Sequence, residues 1–377
     1  MKSISQIFKL ILNLDFKIIK KKDVILLDDN YSSLKFENLS YEVINFNKVN
    51  FFCLIKSLFS FLKSIEQNLS FKEVYLKNLY KLYSPKVAIS HHLNKRALLC
   101  KYLCPNISTI TYQFSYINNF ATRLLGLDSN IDKKYKNCDY FCIYHESDKK
   151  IFEKYFKSSY VVTGSIKNNE ILLEGKKVKS NYLTYISEYT PLGLQTKDHY
   201  HIKCESFIVK MLSKYCLRKN FILNIALRSD RKDKKYKLNR LSEINYFKYL
   251  IGDNFNYSTK NSYELASESN LIVCLSSNMG IELLARKYKV LFLPYHDEYN
   301  KEEIYPYIEN LTSPFIHRNY NEEEIINKID KLIELDFNSW DKTISNCLNP
   351  MVYDKKNSIL KQKVFNLCKA YDSHQTK

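Results

Sequence analysis

The chain has 377 residues, of which 45% are hydrophobic and 26% charged, a globular composition that excludes wholesale disorder. Only 6 Gly and 7 Pro are present, which excludes collagen-like and linker-rich chains. The 58 basic and 40 acidic residues give a net charge of +18. Nucleic acid, an anionic membrane surface and phosphorylated small molecules therefore all fit as partners, although a Lys-, Asn-, Ile- and Tyr-rich composition by itself accounts for much of this charge.

The N-terminal segment is not a signal peptide, because Lys9, Asp15 and Lys17 interrupt its apolar run and no small-residue cleavage site follows. Apolar residues at helical spacing predict a helix over residues 3–14. That helix either packs on the core or lies on an anionic membrane surface. No apolar window of about 18 uncharged residues occurs, so no membrane-spanning helix is expected.

Residues 23–164 alternate between short apolar runs and helical patterns. Strands are predicted at 23–28, 41–46, 86–90, 108–113, 140–144 and 160–164, and helices at about 51–83, 94–103 and 146–156. Strands that alternate with helices predict a parallel, doubly wound sheet. The first half is therefore expected to be an α/β domain over residues 1–170.

A polar stretch at residues 167–181 predicts a domain boundary, since it contains Gly175 and a run of lysines. The pattern then repeats in a second domain, residues 181–377. Strands are predicted at 182–186, 221–227, 270–275 and 290–293, and helices at 202–217, 280–287, 322–335 and 355–370. The fold class is thus α/β with two Rossmann-like domains that face a cleft.

Ten cysteines are scattered along the chain. The pairs Cys100/Cys104 and Cys138/Cys142 have four-residue spacing, which is not the spacing of a zinc site. We interpret the cysteines as core residues in a reducing compartment and predict no metal site.

Residues 270–294 form the segment with the most chemical content. A buried strand leads to Ser276, Ser277 and Asn278 at the start of a helix, where unpaired N–H groups and the positive end of the helix dipole favour a phosphate. Gly280 allows backbone or ligand to come close, and Glu282 is expected to face a cleft or solvent, where it could bind a ribose diol. The alternative is an ordinary serine N-cap with a solvated glutamate.

This pattern of strand, S-S-x-x-G-x-E-x-L-A, strand and Pro294 resembles the nucleotide-binding unit of glycosyltransferases with the GT-B architecture. It is similar in particular to bacterial Kdo-transferase-like and surface-carbohydrate biosynthesis proteins. Residues 138–148 followed by Gly164-Ser165 also resemble the end of the N-terminal domain in such enzymes. The resemblance implies a metal-independent transferase that needs no cofactor and uses a CMP- or UDP-linked sugar.

The resemblance also implies a division of labour between the two domains. The C-terminal domain would bind the donor through Glu188, Arg228, Ser276, Ser277, Asn278, Gly280 and Glu282. The N-terminal domain would bind a glycan or lipid-linked acceptor through His92 and Gln113. Asp28, Asp29 and His91, at strand ends, are candidates for the base that removes the acceptor proton. Each candidate in the N-terminal domain has a plain alternative, a solvated turn, a surface histidine or a loop glutamine, and residues 232–235 are interpreted as a solvated basic loop.

Three alternatives to a glycosyltransferase remain at this stage. Residues 290–299 resemble the strand and Asp-containing loop of CDP-glycerol or polyol-phosphate transferases. A sugar-nucleotide epimerase shares the architecture, and a non-catalytic basic protein could bind RNA or a membrane. Against RNA, the 31 Tyr and 22 Phe follow core spacing, so no specific nucleic-acid partner is predicted. The expected location is the cytoplasm, at the inner face of the plasma membrane.

Overall fold

The structure, a computed structural model, describes residues 13–27, 34–64, 69–92, 94–114, 133–173, 178–189, 200–228, 234–257, 261–294, 314–345 and 351–375. The described residues form two compact units. The first contains those up to 114, those at 133–171 and those from 354 onwards, and the second contains those between 172 and 353.

The secondary structure alternates between strands and helices in both units. The strands are β1 (Leu14–Asp15), β2 (Val24–Leu26), β3 (Tyr41–Val43), β4 (Val49–Asn50), β5 (Val87–His91), β6 (Ser108–Tyr112), β7 (Asn137–Ile143), β8 (Lys157–Val162), β9 (Lys179–Ile186), β10 (Ile222–Ala226), β11 (Asn256–Tyr257), β12 (Ser269–Cys274) and β13 (Val290–Phe292). The α-helices are α1 (Phe51–Ser64), α2 (Phe71–Tyr83), α3 (Lys95–Leu103), α4 (Lys149–Phe152), α5 (Ile166–Glu170), α6 (Tyr200–Lys219), α7 (Lys234–Ile251), α8 (Ser262–Ser267), α9 (Asn278–Ala285), α10 (Glu322–Glu334), α11 (Phe337–Ser345) and α12 (Ser358–Gln375).

The first unit is built on a parallel six-stranded sheet in the order β3-β2-β5-β6-β7-β8. Because side chains alternate across a strand, β2 serves two cores. Ile25 packs with residues of α2 and α3, whereas Val24 and Leu26 pack on the opposite face. Chain order along this sheet reverses between β2 and β5, which is a topological switch point.

The second unit is a parallel five-stranded sheet in the order β11-β10-β9-β12-β13. In chain order this is 3-2-1-4-5, the order of a Rossmann-type half, and the switch point lies between β9 and β12. Both predicted α/β sheets are therefore present. Among the described residues no helix is long and apolar enough to cross a membrane.

Three sequence predictions about the elements are wrong. The helix predicted over 51–83 is two helices, because Ser70 and Glu73 form a capping box that starts α2: Ser70 N–H donates to Glu73 Oε2 at 2.8 Å, and the Ser70 hydroxyl accepts from Glu73 N–H at 3.4 Å. The helical stretch predicted over 146–156 contains only a 3₁₀ turn and the four-residue α4. The basic loop predicted at 232–235 overlaps α7, which begins at Lys234.

The C-terminal helix belongs to the first unit, although the sequence placed it in a domain spanning 181–377. Its residues Leu360, Val364 and Cys368 are buried against the strand face that carries Val24 and Val87. An amphipathic helix goes where its apolar stripe finds an uncovered apolar face, and position along the chain does not decide that choice.

Candidate functional site

The carboxyl edge of the second sheet brings three predicted donor residues together. The register pairs Ile186 of β9 with Ala226 of β10 and Tyr185 of β9 with Val273 of β12. Two or three residues further on, Glu188, Arg228 and Ser276 leave the sheet at the same level. In open parallel sheets, ligands bind outside the carboxyl ends of the strands that flank the switch point.

Glu188 binds the turn that leads into α9. Its Oε1 accepts from the Ser276 backbone N–H at 2.6 Å, and its Oε2 accepts from the Ser276 hydroxyl at 3.0 Å. A hydrogen bond to an ionised carboxylate is about twice as strong as one between neutral groups. The contact therefore fixes the end of β9 to the end of β12 across the switch point.

Arg228 lies at the same edge and donates to backbone carbonyls that follow β9. Its Nη1 is 3.3 Å from the Glu188 carbonyl oxygen and 3.2 Å from that of Tyr189. The Arg228 residue is nevertheless exposed. The guanidinium, with five donors in a fixed fork, is thus held next to Glu188 in a place that solvent and solutes can reach.

Two buried carboxylates that the sequence analysis missed support these residues. Glu205 of α6 accepts from the Glu188 backbone N–H at 3.0 Å, and Glu243 of α7 accepts from the Arg228 backbone N–H at 2.9 Å and from the Ser187 hydroxyl at 2.5 Å. They are 2% and 0% exposed. Each carboxylate satisfies a backbone N–H beyond the end of a strand, where the sheet offers no partner.

A signal for both was present in the sequence. Glu205 lies one helical turn before the buried Ile208 and Val209, and Glu243 lies one turn before the buried Phe247. A carboxylate on the apolar face of a helix is expensive to bury unless donors meet it. Such a position therefore indicates a polar partner inside the fold.

The start of α9 is not an ordinary serine cap. Ser277 is the N-cap residue by its backbone geometry, but its side chain makes no capping hydrogen bond, and the Ser276 hydroxyl goes to Glu188. Ser276, Ser277 and Asn278 are all half-buried. The first turn of α9 is therefore partly open at the edge where Arg228 lies.

The backbone of Gly280 packs closely against side chains of the sheet. A Cβ atom at this position would lie 2.6 Å from the Cys274 Sγ and 3.0 Å from a ring carbon of Phe292. A glycine at this position could serve close backbone packing or the approach of a ligand, and these contacts support close backbone packing.

Glu282 is 5% exposed, so the expectation that it faces a cleft or solvent is wrong. Its carboxylate accepts a hydrogen bond from the Tyr263 hydroxyl of α8. Arg286 lies one turn further along, over the ring of Tyr353 at 4.2 Å. Burial lowers the pKa of the Arg286 guanidinium, and the nearby Glu282 carboxylate opposes that effect. The Tyr263 hydroxyl meets this buried carboxylate, and the Arg286 cation lies near enough to interact with it electrostatically.

In the first unit, the switch point is flanked by the ends of β2 and β5. Asp28 and Asp29, which follow β2, lie outside the described residues. His91 ends β5 and is half-buried, with its ring 5.1 Å from that of Phe114 and 6.3 Å from that of Tyr112. Of the three predicted bases, His91 is the one that the structure describes at this edge.

His92 is only 1% exposed, so its predicted role in acceptor binding does not match its placement. Its Nδ1 accepts from the Phe114 backbone N–H at 3.1 Å and lies 3.4 Å from the Tyr112 carbonyl oxygen. The ring packs edge-on against Phe152 at 5.5 Å. Burial, with a smaller effect from His91, lowers the pKa of the His92 imidazole to about 3. A histidine with this pKa stays neutral in the physiological range.

Gln113 is likewise buried, and so it is neither an exposed loop residue nor open to an acceptor. Its Oε1 accepts from the Tyr144 backbone N–H at 2.9 Å, and its side chain also hydrogen-bonds to Asp148. Desolvation raises the pKa of Asp148 to about 7, although hydrogen bonds from His145, Gln113 and Tyr144 favour the charged form. Gln113 therefore joins the ends of β6 and β7.

The predicted core role of the cysteines is confirmed where they can be seen. All nine cysteines among the described residues are free and buried. Within the same residues no group of three or more His, Cys, Asp or Glu side chains is arranged to hold a metal ion.

Solved structures with a similar fold cover nearly the whole chain. UDP-GlcNAc 2-epimerase from Methanocaldococcus jannaschii is 12% identical over 91% of this chain and 99% of its own, with a TM-score of 0.52. The S. aureus MnaA–UDP co-structure is 13% identical over 95% and 98%, with a TM-score of 0.53. UDP-GlcNAc 2-epimerase from Neisseria meningitidis, bound to UDP-GlcNAc, is 13% identical over 91% and 99%, with a TM-score of 0.50. At this identity the likeness concerns the fold, and it confirms the α/β class with two Rossmann-like domains.

At the sequence level, no curated protein matches the chain. A family model does match. The model described as "putative O-antigen biosynthesis protein" matches residues 117–367, about two thirds of the 377 residues. The chain therefore belongs to this family of O-antigen biosynthesis proteins.

Proposed function

We propose that the protein transfers a sugar from a nucleotide-sugar donor to a glycan or lipid-linked acceptor during synthesis of a surface polysaccharide or lipopolysaccharide. The family supports a place in O-antigen synthesis. The observation that carries the proposal is the convergence of Glu188, Arg228 and Ser276 at the switch point of the second sheet. This edge offers a guanidinium and the positive end of a helix, which are the groups that bind a diphosphate.

In this proposal Arg228 and the first turn of α9 bind the donor phosphates. Glu188 and the buried Glu205 and Glu243 are positioning residues that hold the strand ends and the Arg228 backbone. Glu282 is buried and is not proposed as a donor contact; it holds Tyr263 and thereby supports α9 from its inner side. The donor's nucleotide, CMP- or UDP-linked, is part of the proposal.

The transfer step can be written with the chain's own residues. The acceptor hydroxyl oxygen forms a bond to the anomeric carbon, and the bond from that carbon to the phosphate oxygen breaks. The nucleotide leaves with the electron pair, and Arg228 and the α9 N–H groups stabilise its negative charge. His91 is proposed to take the acceptor proton, a role shared as a hypothesis with Asp28 and Asp29.

Calorimetry with the full chain tests donor binding, after a thermal-shift screen of CMP, CDP, UDP and GDP selects the nucleotide. Loss of the charged hydrogen bonds in Arg228→Ala should weaken binding by about 1.5–3 kcal/mol, roughly 10- to 150-fold. Arg218→Ala, an exposed arginine at the end of α6, is the matched control. If Arg228→Ala and the parent bind the nucleotide equally well, the phosphate site does not lie at this edge.

The reaction itself separates transfer from epimerisation. The parent protein is incubated with a UDP-sugar in the absence and presence of acceptor glycan, and the sugar is followed by NMR. Release of nucleotide that requires acceptor supports transfer. Inversion at sugar C2 without acceptor would overturn transfer in favour of epimerisation, the activity named for two of the similar structures.

A further inference from the structure

Helix α1 has an unusual distribution of polarity. Its inner face carries small side chains: Cys53 and Ser57 are both 0% exposed. The Ser57 hydroxyl accepts from the Asn78 side chain of α2 at 3.1 Å and donates to the Cys53 carbonyl at 2.6 Å. An ordinary surface helix buries its large apolar residues and exposes its small polar ones. In α1 the two most deeply buried side chains are small, and Phe61, which packs on Phe71 of α2, is a large apolar residue on the same side. Four other large apolar residues lie elsewhere.

They lie on the outer face. Phe52, Ile55, Leu58 and Phe59 are 49%, 38%, 54% and 72% exposed. At 100° per residue these four positions occupy about a third of the helix circumference, opposite Cys53 and Ser57. We call this face the apolar ridge. Single exposed apolar residues are common, but a continuous row of four on one helix indicates a binding surface.

The preceding segment extends the ridge. The ring of Phe16 lies 4.9 Å from that of Phe51, which in turn contacts Phe52 at 5.7 Å. Phe16 is 61% exposed and Ile18 is 72% exposed. The pairing of β1 with β4 keeps this segment beside the start of α1. Six large apolar side chains are thus presented on one side of the first unit.

The charge around the ridge is mostly positive. Helix α1 contains no acidic residue. Exposed lysines stand in the helix, before it and in the extended segment, at Lys17, Lys20, Lys21, Lys48 and Lys56. Two acidic residues offset part of this charge: Glu42, which pairs with Lys17, and Asp15. A lysine-rich border favours an anionic partner and disfavours a second copy of the same face, since a two-fold contact would bring lysines against lysines.

We propose that the apolar ridge docks on an anionic lipid bilayer. The Phe, Ile and Leu side chains enter the boundary between headgroups and acyl chains, and the lysine ammonium groups lie at the lipid phosphates. The proposal is independent of the transfer chemistry, because membrane binding is measured without donor or acceptor.

Vesicle flotation of the full chain tests it. The parent should float with phosphatidylglycerol-containing vesicles much more than with pure phosphatidylcholine vesicles, and high salt should reduce this binding. Phe52→Glu/Phe59→Glu should lower the partition coefficient at least tenfold. Leu217→Glu/Leu241→Glu is the matched control, since both leucines are exposed on helices of the second unit at 64% and 57%. Flotation of the ridge variant equal to that of the control would overturn the proposal.

A second measurement does not depend on introducing charge. The chain has one tryptophan, Trp340, which is 0% exposed and gives a constant background. In Phe59→Trp the new indole should shift its emission to the blue when phosphatidylglycerol vesicles are added. No shift would count against insertion of the ridge. The ridge would instead be assigned to a second copy of the chain by three results together. The parent would sediment as a dimer, Phe52→Glu/Phe59→Glu would sediment as a monomer, and the parent would not bind vesicles.

Discussion

The Glu188 carboxylate accepts both the backbone N–H and the hydroxyl of Ser276, a residue 88 positions further along the chain. This contact joins the ends of β9 and β12, the neighbouring strands between which the strand order of the second sheet reverses. A carboxylate thereby takes a backbone donor immediately before α9, so a bound phosphate must use the donors that follow it or displace Glu188.

The first prediction concerns this pair. Glu188→Ala should lower the free energy of unfolding by about 1–3 kcal/mol, since it leaves donors at the strand end without their carboxylate. Ser276→Ala should cost less, because the backbone N–H remains bound. A double-mutant cycle by urea unfolding should give a coupling energy of about 1 kcal/mol, and strict additivity would show that the hydroxyl contact contributes nothing.

The second prediction concerns Gly280. A methyl group at this position meets the Cys274 sulfur and the Phe292 ring, so Gly280→Ala should destabilise the protein by about 1–3 kcal/mol through overpacking. Removing the sulfur should relieve part of this cost. Chemical unfolding should therefore show Gly280→Ala/Cys274→Ala to be more stable than the sum of the two single changes. Additive costs would indicate that the sulfur is not the obstacle.

Much of the fold could be predicted from the sequence because buried parallel strands leave a strong local signal. The apolar runs that became β9, β10, β12 and β13 were located to within a few residues, and so was the helix after Ser277. The wrong predictions arise where the apolar periodicity competes with a shorter local signal or with contacts made far along the chain. Periodicity continues through residues 65–70, and only the Ser70–Glu73 box shows that a new helix starts.

The candidate site was predictable in position but less so in orientation. Glu188, Arg228 and Ser276 follow predicted strands, so strand ends alone bring them together. Glu282 was misplaced because its partner, Tyr263, belongs to the six-residue α8, which has too few residues for a clear pattern. Where a side chain finds its donor in a short element, sequence spacing cannot show which way it points.

The third prediction concerns Asp148. Its pKa is raised from 3.8 to about 7 in the folded protein, so its contribution to stability is present at low pH and is lost as the pH rises through 7. Relative to Asp148→Asn, the parent should lose about 2 kcal/mol of unfolding free energy between pH 5 and pH 8. Urea unfolding at both pH values measures this difference, and a constant difference would contradict the raised pKa.

The fourth prediction has the opposite sign. The pKa of His92 is lowered from 6.5 to about 3, so its contribution is present above pH 6.5 and is lost as the pH falls towards 3. Relative to His92→Asn, whose side-chain oxygen can still accept from Phe114, the parent should lose about 2 kcal/mol between pH 8 and pH 5. In parallel, the His92 ring signals in NMR should not titrate over this range. Titration near pH 6.5 would show that the ring reaches solvent.

The fifth prediction concerns Glu282. Because its carboxylate meets Tyr263 and lies near Arg286, Glu282→Ala should destabilise the fold by about 1–3 kcal/mol, and Glu282→Gln should cost less. Glu322→Ala, an exposed glutamate in the first turn of α10, is the control. If Glu282→Ala unfolds at the same temperature as the parent, the Glu282 side chain faces solvent, as the sequence led us to expect.

The placement of α12 affects how the protein is made. Its residues Leu360, Val364 and Cys368 cover a sheet face formed by strands from the first half of the chain. A ribosome must therefore synthesise the whole second unit before the helix that completes the first one emerges. Until then the first unit has an uncovered apolar sheet face, which is the kind of surface that chaperones bind and that aggregates form on. Nascent chains that stall before residue 358 should consequently be much more aggregation-prone than the number of missing residues suggests.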